Sequence, residues 1–246
     1  MKTLTLSLST IFILSLAHGQ SRITAGGLTL VDLDLDLLEA ETGLMLTATG
    51  TNTQTDNLAG DFDVAFPHQN SSTFSYNPLA TGTSVLTTAT GQIDHLGTLT
   101  FGTDMGANAN LLTIGDFVIG FDANRVDPNA VGGDGFFIQS TLQTGGLILF
   151  DVDIDNNPSV TNDTGGVTVI PEERNLFVGD LDLLISSEFS QVLINEGLTT
   201  DDLAGVDIGG ARINAEAVPE PSSVSTLLAA AVATLAFRKR RAIHSC

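Results

Sequence analysis

Hydrophobic and polar residues alternate with a period of two along several stretches of the chain. The clearest stretch, residues 31–37, reads Val-Asp-Leu-Asp-Leu-Asp-Leu, with apolar residues at every second position. Because successive side chains of a β-strand point to opposite faces, this pattern predicts a strand with one buried and one solvated face. The same alternation predicts strands at 61–66, 116–122, 150–155 and 179–183, and apolar or β-branched runs add candidates at 44–51, 85–90, 96–101, 136–140, 167–170 and 206–213.

Clusters of glycine, asparagine, aspartate and proline separate these stretches, for example at 129–135 and 155–158, and they mark turns. One segment follows helical spacing instead: it begins with the capping residue Ser186, spaces Phe189 and Val192 on one face, and stops at Gly197. Many short strands with one short helix in the C-terminal half predict a mainly β fold. We expect an antiparallel, jelly-roll-like β-sandwich.

The apolar positions of the alternating stretches define the expected core. Each of them has polar or small neighbours, so they are predicted to face a common interior between two sheets. These positions are Leu33, Leu35, Phe117, Ile119, Phe121, Phe150, Val152, Ile154, Leu181 and Leu183.

The N-terminus has the pattern of a secretory signal peptide. Lys2 precedes an apolar run at 4–16, and small residues follow at Ala17 and Gly19. The run has no polar face at helical spacing, which argues against a buried amphipathic helix. We therefore predict a signal peptide at 1–19, cleaved by signal peptidase so that the mature chain begins at Gln20.

The C-terminus consists of three consecutive parts. Pro219, Glu220 and Pro221 come first, an apolar run at 224–237 follows, and four basic residues, Arg238, Lys239, Arg240 and Arg241, complete the tail. The apolar run predicts a membrane helix of about 21 Å, shorter than a hydrocarbon core of about 30 Å, which favours a transient anchor. The basic cluster predicts a translocation stop that stays on the cytoplasmic side.

These three parts, in this order and at the end of the chain, resemble the PEP-CTERM sorting signal of Gram-negative bacteria. The resemblance implies recognition by an exosortase, removal of the tail near Pro219-Glu220-Pro221, and release to the cell surface or an exopolysaccharide matrix after transient anchoring in the inner membrane. The expected organisation is a signal peptide at 1–19, an extracellular β-sandwich domain at 20–216 and the sorting signal at 217–246. Residues 120–215 also resemble, more loosely, the bodies of other PEP-CTERM proteins, which implies shared architecture only.

The charge of the chain excludes one class of partner. Nine basic residues against 29 acidic ones give a formal charge of −20, and most of the basic residues lie in the two terminal segments. Such a negative protein repels nucleic-acid phosphates and anionic lipid headgroups, so nucleic-acid binding is not expected. Cys246, the single cysteine, lies in the tail, so the domain must fold without a disulfide bond.

Aspartates at alternate positions are the most distinctive polar feature: Asp32, Asp34 and Asp36; Asp151, Asp153 and Asp155; and Asp180 and Asp182. Aspartates on one strand face lie about 6.8 Å apart, whereas calcium needs about six to eight oxygens within 2.6 Å, so one ladder cannot enclose an ion. The favoured interpretation is a solvated strand face without a cofactor. Calcium remains an alternative, for which Asp151, Asp153, Asp155 and Asp163 are the candidate ligands.

Signatures of catalytic nucleophiles and of zinc sites do not occur in the sequence, so no catalytic residue is predicted. His68 and His95 are separated from each other and from obvious partners, and each is expected to be a surface or strand residue rather than a general base. Arg125, between Asp122 and Asp127, is expected to neutralise a loop. The many carboxylates leave a glycosidase pair open without nominating one.

The predicted function is that of a non-catalytic, exosortase-sorted protein of the cell surface or of an exopolysaccharide or biofilm matrix. Two alternatives stay open: a calcium-dependent carbohydrate-binding module and a polysaccharide-active enzyme. The absence of tryptophan and the single Tyr76 weaken the carbohydrate-binding alternative, because sugars stack on aromatic rings. The predicted partners are signal peptidase, an exosortase and, in the matrix, exopolysaccharide.

Overall fold

Strands make up most of the structure, a computed structural model that describes residues 21–56, 58, 62–77, 89–103, 111–126, 133–154, 166–170 and 175–219. Within these residues the elements are, in chain order, β1 Ser21–Leu33, α1 Leu35–Thr42, β2 Met45–Thr49, β3 Val64–Pro67, β4 Ser75–Tyr76, β5 Ile93–Asp94, β6 Thr98–Gly102, β7 Leu111–Gly115, β8 Phe117–Val126, β9 Asp134–Ser140, β10 Leu147–Ile154, β11 Gly166–Ile170, β12 Asn175–Ile185, α2 Ser187–Asn195 and β13 Asp207–Pro219. Most predicted strands are confirmed, whereas β1 begins ten residues earlier than expected and β4, β5 and β7 were not predicted. The strand predicted at 85–90 stays a prediction, because residues 85–88 lie outside the described residues.

The described strands form two antiparallel sheets. The larger has ten strands, with the main order β3-β1-β13-β12-β10-β9-β8-β5, while β4 pairs with β1 and β11 pairs with β12. The smaller sheet has the order β2-β6-β7. The large sheet curls around a shared interior, so the predicted mainly β, sandwich-like antiparallel fold is confirmed.

The interior is one continuous apolar cluster, formed by side chains at alternate positions of the strands. On β8, β10 and β12 the buried residues include Ile119, Val152 and Leu183, as their alternation predicts. Eight of the ten expected core residues are buried: Leu33, Phe117, Ile119, Phe150, Val152, Ile154, Leu181 and Leu183.

Phe121 is one of the two expected core residues that are not buried, because it is 43% exposed. The pairing of β8 with β5 covers only Val118 and Ile119, and the register between β8 and β9 shifts after Phe121. The strand therefore continues beyond the part of the sheet that covers the core. The Phe121 ring instead packs against Phe136 on β9, with 5.1 Å between the ring centroids.

Helix α1 replaces the second half of the predicted strand at 31–37. Asp34 ends the strand conformation and caps the helix, because its Oδ1 accepts a hydrogen bond of 2.9 Å from the Leu37 amide. Gly43, at φ 70°, ends the helix in the left-handed conformation. Leu38 is buried and Leu35 packs partly buried against the core, and their separation of three residues places both on one face of the helix.

The predicted ladder of Asp32, Asp34 and Asp36 is therefore wrong. Asp32 lies on β1, Asp34 is the N-cap of α1 and Asp36 lies in its first turn, where a carboxylate interacts favourably with the helix dipole. The expectation of a single helix is wrong for the same reason, since the described residues contain two.

Helix α2 confirms the predicted helix. The Oγ of Ser186 accepts a hydrogen bond of 3.0 Å from the Phe189 amide, and Gly197, at φ 72°, follows the helix end. Phe189 and Leu193 are buried, and the Phe189 ring meets Phe150 of β10 edge to face at 6.2 Å. The helix thus packs on the large sheet through the face that its spacing predicted.

Candidate functional site

The C-terminal strand leads directly into the predicted sorting segment. Alternate residues of β13, including Ala211, Ile213 and Ala215, face the core, and the strand continues as far as Pro219. Pro219 is the last residue of β13 and the last residue that the structure describes. Glu220 and Pro221 lie outside the described residues, as do Arg238, Lys239, Arg240 and Arg241.

The first described residues lie beside this segment. Strands β1 and β13 pair antiparallel, with a register shift between Ile23 and Gly27, so that Ser21 is the cross-strand partner of Pro219 and Arg22 that of Val218. Ser21 is fully buried, and the Arg22 guanidinium donates hydrogen bonds of 3.0 and 2.8 Å to the Ser72 carbonyl. Both ends of the domain are therefore held in the sheet at the same place.

The predicted signal-cleavage residues Ala17, Gly19 and Gln20 lie outside the described part of the chain, and so does the membrane segment at 224–237. Neither of the two helices within the described ranges has the length and apolar character that a membrane crossing requires. The predicted cleavage points and membrane segment therefore stay predictions.

Comparison with protein families decides the nature of the C-terminal segment. Residues 217–241 match the family model of the PEP-CTERM protein-sorting motif. The chain carries a PEP-CTERM sorting signal. This PEP-CTERM segment starts within β13, two residues before the strand ends, and it includes the predicted motif, the apolar run and the basic cluster.

The PEP-CTERM signal marks the protein as exported and sorted by an exosortase, as the resemblance implied. It covers only the end of the chain. No curated protein and no solved structure matches the sequence. The chemistry of the domain that precedes the PEP-CTERM segment therefore rests on its own residues.

Arg125 forms the strongest charged cluster among the described residues. Its guanidinium lies 2.8 Å from the Asp151 carboxylate and 2.6 Å from the Glu188 carboxylate. The hydrogen bond from Arg125 is the main cause that lowers the pKa of Glu188 to about 2. The hydrogen bonds to Glu188 and Asp151 in turn raise the pKa of Arg125 above its ordinary value. The expectation that Arg125 neutralises a loop is wrong, because Arg125 lies on β8 and its guanidinium pairs with Asp151 of β10 and Glu188 of α2. Asp127 lies outside the described residues.

The calcium candidates are only partly brought together. Asp151 is engaged by Arg125, which competes with a cation for its oxygens. Asp153 lies directly opposite Asp182 in the β10–β12 register, and Asp155 and Asp163 lie outside the described residues. Within the described ranges, no group of three or more acidic, histidine or cysteine residues is arranged to hold a metal ion.

Calcium is expected to stabilise the domain no more than another salt does at the same ionic strength. Because acidic residues greatly outnumber basic ones, monovalent salt should raise the melting temperature by screening carboxylate repulsion. Melts at matched ionic strength, with calcium or with a chelator, measure any specific effect. A calcium-dependent rise that Asp153→Asn abolishes and the control Asp36→Asn retains would establish the calcium site instead.

His68 and His95 correct a prediction. They are neither isolated nor at the surface: they are 3% and 1% exposed, and their ring centroids lie 5.0 Å apart. Both Nε2 atoms lie within hydrogen-bond distance of the Thr29 Oγ1, at 3.1 Å for His68 and 2.8 Å for His95. Burial lowers the pKa of His68 to about 3 and that of His95 to about 4, so both rings are neutral at pH 7.

A signal for this pair was present in the sequence. His68 continues the alternation of Val64 and Phe66, and His95 follows Ile93 at the same spacing, so both share the parity of buried residues. Their contact with Thr29 was not predictable, because residues 29, 68 and 95 meet only when the sheet closes.

Proposed function

We propose that this protein is an exported, non-catalytic component of the cell surface or of an exopolysaccharide matrix, delivered by exosortase processing. The observation that carries the proposal is the PEP-CTERM segment at 217–241, which continues without a linker from the last strand of a β-domain. In this proposal the segment at 224–237 anchors the precursor in the inner membrane of a Gram-negative cell only until the tail is removed.

The domain has the properties of a passive extracellular scaffold. Its charge is strongly negative, which keeps an exposed protein hydrated and separated from its copies. It is built around a continuous apolar core with both described ends paired in the sheet, which protects the termini left by processing. Such a domain, which folds without a disulfide bond, suits a hydrated polysaccharide environment.

The two histidines and the Arg125 cluster support a structural role. The two histidines, the usual general bases, are neutral and engaged with Thr29, and burial keeps them from solvent. In the Arg125 cluster the guanidinium lowers the pKa of Glu188 to about 2, which makes that carboxylate a poor proton acceptor near neutral pH. We accordingly propose that the domain catalyses no reaction and has no resident cofactor.

A charge-matched pair of variants tests the sorting step. Glu220→Gln, within the motif, should leave the full-length precursor in the membrane fraction of a cell that contains the exosortase. Glu216→Gln, which removes the same charge just before the matched segment, should be released like the unaltered protein. Immunoblots of membrane, surface and medium fractions measure the distribution, and intact mass of the released form should show Gln20 first and the tail absent.

Released protein that retains Cys246 would contradict the processing step. The matrix assignment has its own test: the released protein should co-sediment with isolated exopolysaccharide without generating new reducing ends. Turnover of the polysaccharide would favour an enzyme, and calcium-dependent retention on a glycan array would favour a carbohydrate-binding module.

A further inference from the structure

The two histidines lie where the ends of the large sheet meet. Strands β3 and β5 are the terminal strands of its main order, and the residues that directly follow them, His68 and His95, form an antiparallel bridge. The Gln69 amide donates to the Asp94 carbonyl at 2.7 Å, and the Leu96 amide donates to the Pro67 carbonyl at 3.1 Å. We call this junction, residues 67–69 with 94–96, the seam. It closes the curled sheet.

Each side of the seam is also tied to the body of the sheet. The His68 amide donates to the Gly27 carbonyl on β1, and the His95 amide donates to the Phe117 carbonyl on β8. The two imidazoles extend inward from the seam and meet at Thr29 of β1. A single hydroxyl group thus links the two sides of the junction from within.

The hydrogen-bond partners determine where the protons lie. The Phe117 carbonyl only accepts, so the His95 Nδ1, 3.1 Å away, must carry the proton. The neutral His95 therefore accepts at Nε2 from the Thr29 hydroxyl, and the Thr29 oxygen accepts from the Nε2–H of His68. This leaves the His68 Nδ1 unprotonated, buried and without a hydrogen-bond partner.

An added proton has no favourable position in this arrangement. On His68 it would occupy Nδ1, which faces no acceptor, and on His95 it would oppose the Thr29 hydroxyl proton. Gly27, Thr29, Phe66 and Phe117 around the rings are uncharged; Asp94 is the charged group whose field favours a proton on His95, and it does not outweigh burial. A cavity of about 40 Å³ beside Thr29 and His95 is otherwise lined by apolar side chains. These side chains offer no polar group that could solvate a protonated histidine.

We propose that His68, Thr29 and His95 form an acid-sensitive latch that holds the seam closed while both imidazoles are neutral and releases it when the open form takes up two protons. In the closed seam the histidines stay neutral well below pH 6.5, whereas solvated histidines take up protons near that value. Opening therefore binds protons, so it is favoured as the pH falls from about 6.5 toward 4. Most carboxylates stay ionised above about pH 5, so the histidines dominate the response between about pH 6.5 and 5.

Hydrogen exchange of the exported protein between pH 7.5 and pH 5.5 tests the latch. With solvated histidines at a pKa of about 6.5, the opening equilibrium should rise about tenfold for each histidine and about 100-fold for both. We expect protection factors of the Gln69 and Leu96 amides, corrected for intrinsic exchange rates, to fall by this factor. They should also stay below those of the β10–β12 ladder, because the seam opens while the ladder remains paired.

Variants separate the latch from general stability. His68→Gln should reduce the pH response of the seam to about tenfold, and the double variant with His95→Gln should nearly abolish it. Thr29→Val, which keeps the shape and both histidines, should lower seam protection at pH 7.5 about tenfold or more by leaving both Nε2 atoms unpaired.

Three outcomes would overturn the latch. The first is seam protection that does not change between pH 7.5 and 5.5 in the unaltered protein. The second is equal protection of the seam and the β10–β12 ladder, which would mean that the seam opens only with the whole domain. The third is an undiminished pH response in His68→Gln. The first two need no variant, so a variant that fails to fold leaves the test intact.

Discussion

Ile119→Asp is expected to unfold the domain. Ile119 is 6% exposed and lies between its cross-strand partners Ile93 on β5 and Ile138 on β9. An aspartate there loses the burial of the isoleucine and places a carboxylate among aliphatic side chains, which together cost several kcal/mol. A domain of this size is stable by about 5–15 kcal/mol, so the substitution should remove most of that stability. Circular dichroism and urea unfolding measure the loss.

Phe121→Asp is the matched control. Phe121 lies two residues after Ile119 on the same strand, so the alternating pattern predicts that both side chains are buried. Phe121 is nevertheless 43% exposed. Its substitution should cost about 1 kcal/mol, mainly through the lost contact with Phe136. Asp34→Asn should change stability still less, since asparagine also caps a helix. Equal losses for Ile119→Asp and Phe121→Asp would contradict the burial assigned to β8.

Gly27→Ala is expected to destabilise the domain by about 3 kcal/mol or more. Gly27 has φ 124°, a conformation that residues with a Cβ rarely adopt. An added Cβ would also overlap the Asn214 carbonyl oxygen on β13 and lie 2.9 Å from the His68 Nδ1. The substitution therefore disturbs the β1–β13 pairing and the seam together. Urea unfolding at pH 7.5 measures the loss of free energy.

Gly43→Ala separates backbone strain from close approach. Gly43 also has a positive φ, 70°, but nothing lies within 4 Å of an added Cβ. Its loss should be about 1 kcal/mol, the cost of a left-handed alanine. Similar losses for both variants would show that the close approach at Gly27 contributes nothing.

The strands were the most predictable part of this protein. The alternation at 116–122 and 150–155 predicts two strands, and both form, as β8 and β10. Burial alternates along β10 from Phe150 onward, whereas residues 117–120 of β8 are all buried. The segment at 31–37 forms a strand only as far as Leu33, because Asp34 caps a helix in which Leu35 and Leu38, three residues apart, share one face. Exposure of Phe121 was not predictable, since it depends on where the neighbouring strand β5 ends.

The sequence by itself determined the export route, because a sorting signal is recognised as a linear order of motif, apolar run and basic cluster. It also determined the mainly β class, because the periodicity of a strand is local. Only the tertiary structure decided which polar side chains meet. The Arg125 cluster joins residues 63 positions apart, and the Thr29 contact joins His95 across 66 positions. Such contacts depend on the register and closure of the sheet, which arise from packing of the whole chain and leave no local pattern in the sequence.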